Sequence, residues 1–151
     1  MGGLVGADAA CQQRAAVAGL TGTYKAWLAD ATSSPATRLT HHLGPYQLTT
    51  GVIIAQGWSD LTDGNLANKI DRDEHAVMSQ GTFICRGGEV WSNVDGAGNR
   101  RVGASGDCVA WTSSTAQGAA GNVNNMDLMW TAGDCFNIGC ASMLPIYCVQ
   151  Q

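Results

Sequence analysis

The side chains able to do chemistry are six cysteines, three histidines and a few short runs of oxygen-bearing residues. Cys11, Cys85, Cys108, Cys135, Cys140 and Cys148 include no C-x-x-C pair and no Cys/His spacing suited to zinc. An even count without those motifs points to disulfides and an oxidising compartment, while composition leaves the connectivity open. His41 and His42 are adjacent and His75 follows an acidic run, but none has a partner motif that would make a nucleophile and base, and G-x-S-x-G is absent. These residues point away from an enzyme. Asp71, Asp73 and Glu74 form one oxygen-rich cluster, and Asn124, Asn125 and Asp127 a second. The candidate calcium sets are therefore Asp71, Asp73 and Glu74, or Asn125 and Asp127, since hard cations gather oxygens. No other cofactor is expected. Trp58 and Trp130 sit beside loops. An exposed Trp flanked by Asn and Asp can stack on and hydrogen-bond a sugar, which makes Trp130, Asn124, Asn125, Asp127 and Trp58 candidate ligand-binding residues. Trp27, Trp91 and Trp111 fall in strand patterns and are expected in the core.

The elements that must position these groups are short. Asp8 is placed to cap a helix ending at Gly19, with Cys11, Ala15 and Ala18 on one face. Residues Thr23 to Leu28 alternate, with Tyr24, Ala26 and Leu28 facing one way and Lys25 and Trp27 the other. Residues 46–48 and 52–55 flank Thr49-Thr50-Gly51 as a hairpin, and Trp58 to Gly64 reads as one helical turn. Phe83-Ile84-Cys85, Val90-Trp91-Ser92 and Cys108 to Thr112 are strand candidates. Tight turns are expected at Gly87-Gly88 and at Asp95 to Gly98, and a polar loop without periodicity at Ser113 to Gly121. Leu144, Ile146 and Tyr147 suit a buried strand that Pro145 pushes toward an edge. Many short strands, few helices and abundant glycine indicate an α+β fold in one domain over residues 1–151.

Charged residues make up 13% of the chain, against about 25% in ordinary domains, so the surface must be hydrogen-bonding and weakly charged. A net charge of −4 supplies no basic field for nucleic acid and no polybasic membrane patch. No segment approaches the ~18–20 apolar residues of a membrane span. Met1-Gly2-Gly3 has neither the basic nor the apolar region of a signal peptide, so an exported form would have lost its leader.

Two blocks carry a family likeness. The first is Gly6-Ala-Asp-Ala-Ala-Cys11-Gln-Gln-Arg14 followed by Gly19-Leu-Thr-Gly-Thr-Tyr-Lys-Ala-Trp-Leu28. The second is Val90-Trp91, Asp95-Gly-Ala-Gly-Asn-Arg-Arg101, Cys108-Val-Ala-Trp111-Thr112 and the ending from Cys140 to Cys148. Their order and spacing resemble endostatin, the C-terminal domain of certain collagens, and more closely its bacterial secreted relatives, which Gly44-Pro45-Tyr46 through Gly64 also resembles. The resemblance implies a C-type-lectin-like fold: a twisted antiparallel sheet, one or two short helices and long polar loops, braced by disulfides. It implies the bridges Cys11–Cys148 and Cys108–Cys140, and with those carried over, Cys85 and Cys135 are left to each other. It places Lys25, Arg100 and Arg101 on positions that serve polyanion binding in endostatin, with Arg38 near another. The zinc ligands of endostatin-like proteins and the Glu-Pro-Asn or Gln-Pro-Asp loop of calcium-dependent lectins are not matched.

The expected function is a non-catalytic extracellular recognition or adhesion module, secreted or at the cell surface, in an extracellular or periplasmic setting. It would bind a glycan or protein through the polar loops between Trp111 and Cys140, as the terminal domain of a bacterial surface protein or fibre, in a monomeric or trimeric assembly. The alternatives are a structural or trimer-assembly domain without a small ligand, and a weak heparin-like polyanion binder.

Overall fold

The computed structural model describes residues 1–79, 84–101, 106–133, 135 and 137–151. The described chain is mixed α and β. Its helices are α1 (Gly3–Val17), α2 (Pro35–Arg38), α3 (Trp58–Leu61) and α4 (Cys108–Trp111), with a 3-10 turn at Leu128–Trp130. Its strands are β1 (Tyr24–Ala26), β2 (Tyr46–Gln47), β3 (Ile53–Ala55), β4 (Glu89–Trp91), β5 (Gln117–Gly118), β6 (Ala120–Asn122), β7 (Ile138–Gly139) and β8 (Cys148–Gln150). They form the antiparallel pairs β1–β8, β2–β3, β4–β6 and β5–β7. No helix among the described residues is long and apolar enough to cross a membrane.

Helix α1 begins at Gly3 and not at Asp8. Asp8 is no cap: it sits in the second turn, and its carboxylate accepts the Ala26 N–H at 2.9 Å and pairs with the Arg38 guanidinium. A cap satisfies the helix's own orphan donors; Asp8 satisfies a strand's. The C-terminal end matches expectation. Gly19 takes φ +71°, its N–H reaches Ala16 O at 3.1 Å and the Leu20 N–H reaches Ala15 O at 2.9 Å, the paired bonds of a Schellman stop. Ala7, Cys11 and Ala15 are buried; their small side chains let α1 lie close on β1. Ala18 is only half-buried.

The alternation read from residues 23–28 divides two cores. Trp27 and Ala29 pack with Tyr46, Ile54, Leu61, Trp130 and Tyr147, while Ala26 and Leu28 pack with Ala7, Cys11, Trp91 and Trp111. Strand β4 alternates likewise, Val90 to the first core and Trp91 to the second. The C-terminal segment joins both strands: the Trp91 N–H reaches Pro145 O and the Trp27 N–H reaches Tyr147 O, each at 2.9 Å. The hairpin β2–β3 and the turn closed by Gly98 N–H on Asp95 O at 3.1 Å form as expected. Gly87 and Gly88 both take positive φ, 81° and 90°.

Three further expectations are overturned. Phe83 lies outside the described residues, and Ile84 and Cys85 form a bend instead of a strand. The cause is Glu89, whose buried carboxylate receives the N–H groups of Ile84 at 3.1 Å and Arg86 at 2.6 Å and so curls the segment back. Cys108 to Thr112 is not a strand either. Cys108, Val109, Ala110 and Trp111 all take positive φ, 51°, 54°, 50° and 62°, a left-handed turn that costs roughly 1–2 kcal/mol per residue. It is held by the Cys108–Cys140 bridge and by the Trp111 indole N–H on Ala29 O at 3.0 Å, and it drops Trp111 into the second core. The stretch from Ser113 to Gly121 contains β5 and part of β6 rather than an irregular loop. Its residues are small because the backbone is pressed on others: a Cβ on Gly118 would lie 2.5 Å from the Trp91 ring, and one on Gly121 2.1 Å from Trp130 O. Periodicity cannot reveal strands whose side chains have been removed to make room.

All three disulfides form: Cys11–Cys148, Cys85–Cys135 and Cys108–Cys140, with Cα separations of 5.4, 6.2 and 5.7 Å, inside the range a bridge requires.

Candidate functional site

The residues singled out for ligand binding do not converge. Trp130 is 1% exposed, its ring 5.1 Å from Trp27 and 5.6 Å from Tyr147. It is a core residue, and its indole N–H is buried without a partner among the described residues. Asp127 caps the 3-10 turn by accepting the Met129 N–H at 3.1 Å, and the same oxygen takes the Asn125 amide at 3.2 Å. The Asn124 amide reaches Gly87 O at 3.3 Å. Asn125 and Asp127 serve the turn they sit on, Asn124 ties it to the Gly87 turn, and Asn125 with Asp127 offers a cation few free oxygens. Trp58 is half-buried, with His41 stacked flat on it at 3.9 Å and 8°. The histidine pair is therefore not merely solvated: the His41 ring also meets Ala36 O at 3.1 Å.

The acidic cluster is likewise dispersed by local partners. Asp71 pairs with Arg72 at 3.4 Å, Glu74 with Arg14 at 2.5 Å, and one Asp73 oxygen accepts the N–H groups of His75 and Val77, each at 2.9 Å. Among the described residues the ligand-bearing group that does converge is Cys85, Glu89 and Cys135, and there both sulfurs are bonded to each other. Burial raises the Glu89 carboxyl, but the amides of Arg86, Ile84, Glu89 and Gly87 outweigh it and hold the group below its ordinary value.

Three of the four cations proposed for polyanions have partners within the chain. Arg38 pairs with Asp8 and donates to Ala26 O at 2.5 Å, Lys25 donates to Arg38 O at 3.0 Å, and Arg101 donates to Gly133 O at 2.6 Å. Arg100 is exposed.

What the fold does build is a cleft of about 940 Å³ between helix α1, the hairpin β2–β3 and the C-terminal segment. One wall is the continuous run 146–151 and the facing wall is the run 45–51. Arg14, Leu20, Thr21 and Tyr24 line the helix side, Leu48, Ile70 and Val149 give the cleft half-buried apolar side chains, and Trp27, Ile54, Trp130 and Tyr147 border it from the core, almost wholly buried. The rim is mostly uncharged: Gln47, Thr49, Thr50, Thr21, Gln150 and Gln151. Two of its charges are paired, Arg14 with Glu74 and Arg72 with Asp71, and the Asp73 carboxylate accepts the N–H groups of His75 and Val77. Burial raises the Tyr46 phenol above its ordinary range, offset in part by the His42 N–H it accepts at 3.2 Å, and it donates to Thr40 O at 3.3 Å. Burial raises Tyr147 as well, so it stays a neutral donor to Trp130 O at 3.1 Å.

Sequence reasoning missed this cleft because its walls come from residues about a hundred positions apart. The available signal was local: Tyr46 to Gly51 is a hairpin with Thr and Gln at its tip, and the chain ends in Val-Gln-Gln. Nothing in that pattern says that the two stretches face each other. No protein-family model matches this chain, and no curated protein matches it.

Proposed function

We propose that the chain is a non-catalytic extracellular recognition module with the C-type-lectin-like, endostatin-like organisation its motifs resemble, and that its ligand lies in the cleft between 45–51 and 146–151. One observation carries this reading: a large cleft whose two arginines are paired with carboxylates and whose rim carries amides and hydroxyls beside the half-buried apolar side chains of Leu48, Ile70 and Val149. Such a lining orients a neutral, hydrogen-bonding ligand such as a glycan or a polypeptide segment. The three disulfides support a setting in an oxidising compartment, at a cell surface or outside the cell. They also keep the walls in place, since Cys148 in one wall is tied to Cys11 of α1. The loops between Trp111 and Cys140 lose their part in this reading because their aromatic anchor, Trp130, is buried. The polyanion reading is weakened at Arg38, whose charge is paired with Asp8.

The test is binding to arrays of neutral oligosaccharides and of short extended peptides. Tyr24→Ala and Gln47→Ala should each weaken any selected ligand by about tenfold, a difference of about 1.4 kcal/mol, while Asn125→Ala leaves it unchanged. The reverse pattern would return the site to the 112–139 loops.

A further inference from the structure

The β1–β8 pair has two outer edges, and the fold treats them differently. The Trp27 N–H on Tyr147 O at 2.9 Å and the Gln151 N–H on Thr23 O at 2.8 Å, with Lys25 opposite Val149, set the alternation. The main-chain groups of Tyr147, Val149 and Gln151 face β1, and those of Cys148 and Gln150 face away. On β1 the outward groups are covered: Ala26 N–H meets Asp8 and Tyr24 N–H meets Gln12, each at 2.9 Å. On β8 no hydrogen bond within the described residues reaches the outward N–H or C=O of Cys148 or Gln150, and both residues are exposed.

That bare edge opens into the cleft. Every residue from 146 to 151 lines it in turn. Successive side chains of a strand point to opposite faces, so an unbroken run on one wall means that the strand's edge, and not one of its faces, borders the space.

Resting on the reading of the cleft as the recognition site, we propose that its ligand is an extended peptide strand of a partner polypeptide, added to the free edge of β8. An edge offers alternating donors and acceptors repeating every two residues, roughly 6.7 Å, which is the repeat of another extended main chain and not that of a sugar ring. The partner strand carries no net negative charge, because the cleft already holds a carboxylate without a cationic partner among the described residues: Arg14 is held by Glu74 and Arg72 by Asp71, while Asp73 accepts only the N–H groups of His75 and Val77. Apolar side chains at alternate positions would lie toward the half-buried Leu48, Ile70 and Val149, with hydroxyl or amide side chains between them.

The experiment uses the full, disulfide-bonded chain. The probe is a set of capped peptides of about seven residues, roughly 23 Å when extended, with Val, Ile or Tyr at alternate positions and Thr or Asn between. Amide hydrogen exchange is read at Cys148 and Gln150. The expected result is exchange slowed by about tenfold or more at these two amides on adding peptide, and no slowing with peptides N-methylated at the positions that face the edge. Gln150→Pro removes an N–H the fold does not use and should abolish the effect. Because N-methylation alters only the probe, the result stands even if the proline variant misfolds. Equal binding of plain and N-methylated peptides overturns the proposal. So does slowing without peptide that grows with protein concentration, which would make the occupant a second copy of this chain. If Tyr24→Ala and Gln47→Ala weaken an array ligand while the Cys148 and Gln150 amides never slow, the cleft remains the site and the strand proposal fails. If no neutral oligosaccharide or peptide binds at all, both fail.

Discussion

The outer edge of β1 and the outer edge of β8 belong to one two-stranded ladder, yet one is covered and the other is open. On β1, helix α1 lays Asp8 and Gln12 against the strand so that Ala26 and Tyr24 have acceptors at 2.9 Å, and Arg38 closes over the same carboxylate. On β8 the equivalent groups of Cys148 and Gln150 meet no protein partner among the described residues. The difference teaches how a small, weakly charged domain handles a sheet edge. Exposed edges invite pairing; here one is blocked by side chains from a helix, and the other is left beside a cleft lined in part by the half-buried Leu48 and Ile70.

The largest way to break this contrast is to cut the link between the helix and the open strand. Replacing Cys11 and Cys148 together by serine should lower stability by about 5 kcal/mol in denaturant titrations, given a sequence separation of 137, and should release β8 while α1 still covers β1. Next in size is Asp8→Ala. It leaves the Ala26 N–H and the largely buried Arg38 guanidinium without their acceptor, an expected loss of about 2–4 kcal/mol. Glu89→Gln tests a carboxylate away from both edges, with an expected loss of about 1–3 kcal/mol at neutral pH. Its folded-state pKa lies below the ordinary 4.5, so its contribution is present above that value and is lost as pH falls through the folded value. The wild-type fall in melting temperature on acidification should therefore be shallower in the variant. The smallest effects sharpen the comparison. Gln12→Ala uncovers the Tyr24 N–H and should cost about 1 kcal/mol, while Gln150→Ala, on the open edge, should stay within about 0.5 kcal/mol. Equal losses for the last two would erase the distinction between the edges.

Much of the fold was legible because the cues were local. Gly19 stops α1, Thr49-Thr50-Gly51 turns the hairpin, Asp95 to Gly98 closes its loop, and the alternation around Trp27 names the two faces of β1. Where cues failed, a distant group had decided. Glu89 curled residues 84–86, the close approach of Trp91 and Trp130 dictated the glycines of β5 and β6, and Cys140 with Ala29 held the left-handed turn at Cys108–Trp111. The candidate site fared worse. Trp130 looked exposed because Asn124, Asn125 and Asp127 stand near it in sequence, but those residues shape the turn above while the ring enters the core with Trp27 and Tyr147.

By itself the sequence determined an α+β chain of short elements, a surface of hydroxyls and amides, and six cysteines free of metal spacing, since these follow from composition and near-neighbour preference. The tertiary structure alone decided which carboxylates became structural, which tryptophan was buried and where a cleft opened. Those outcomes depend on what faces a group across the fold, and residues 45–51 and 146–151 come face to face only when the ladder and its disulfide close.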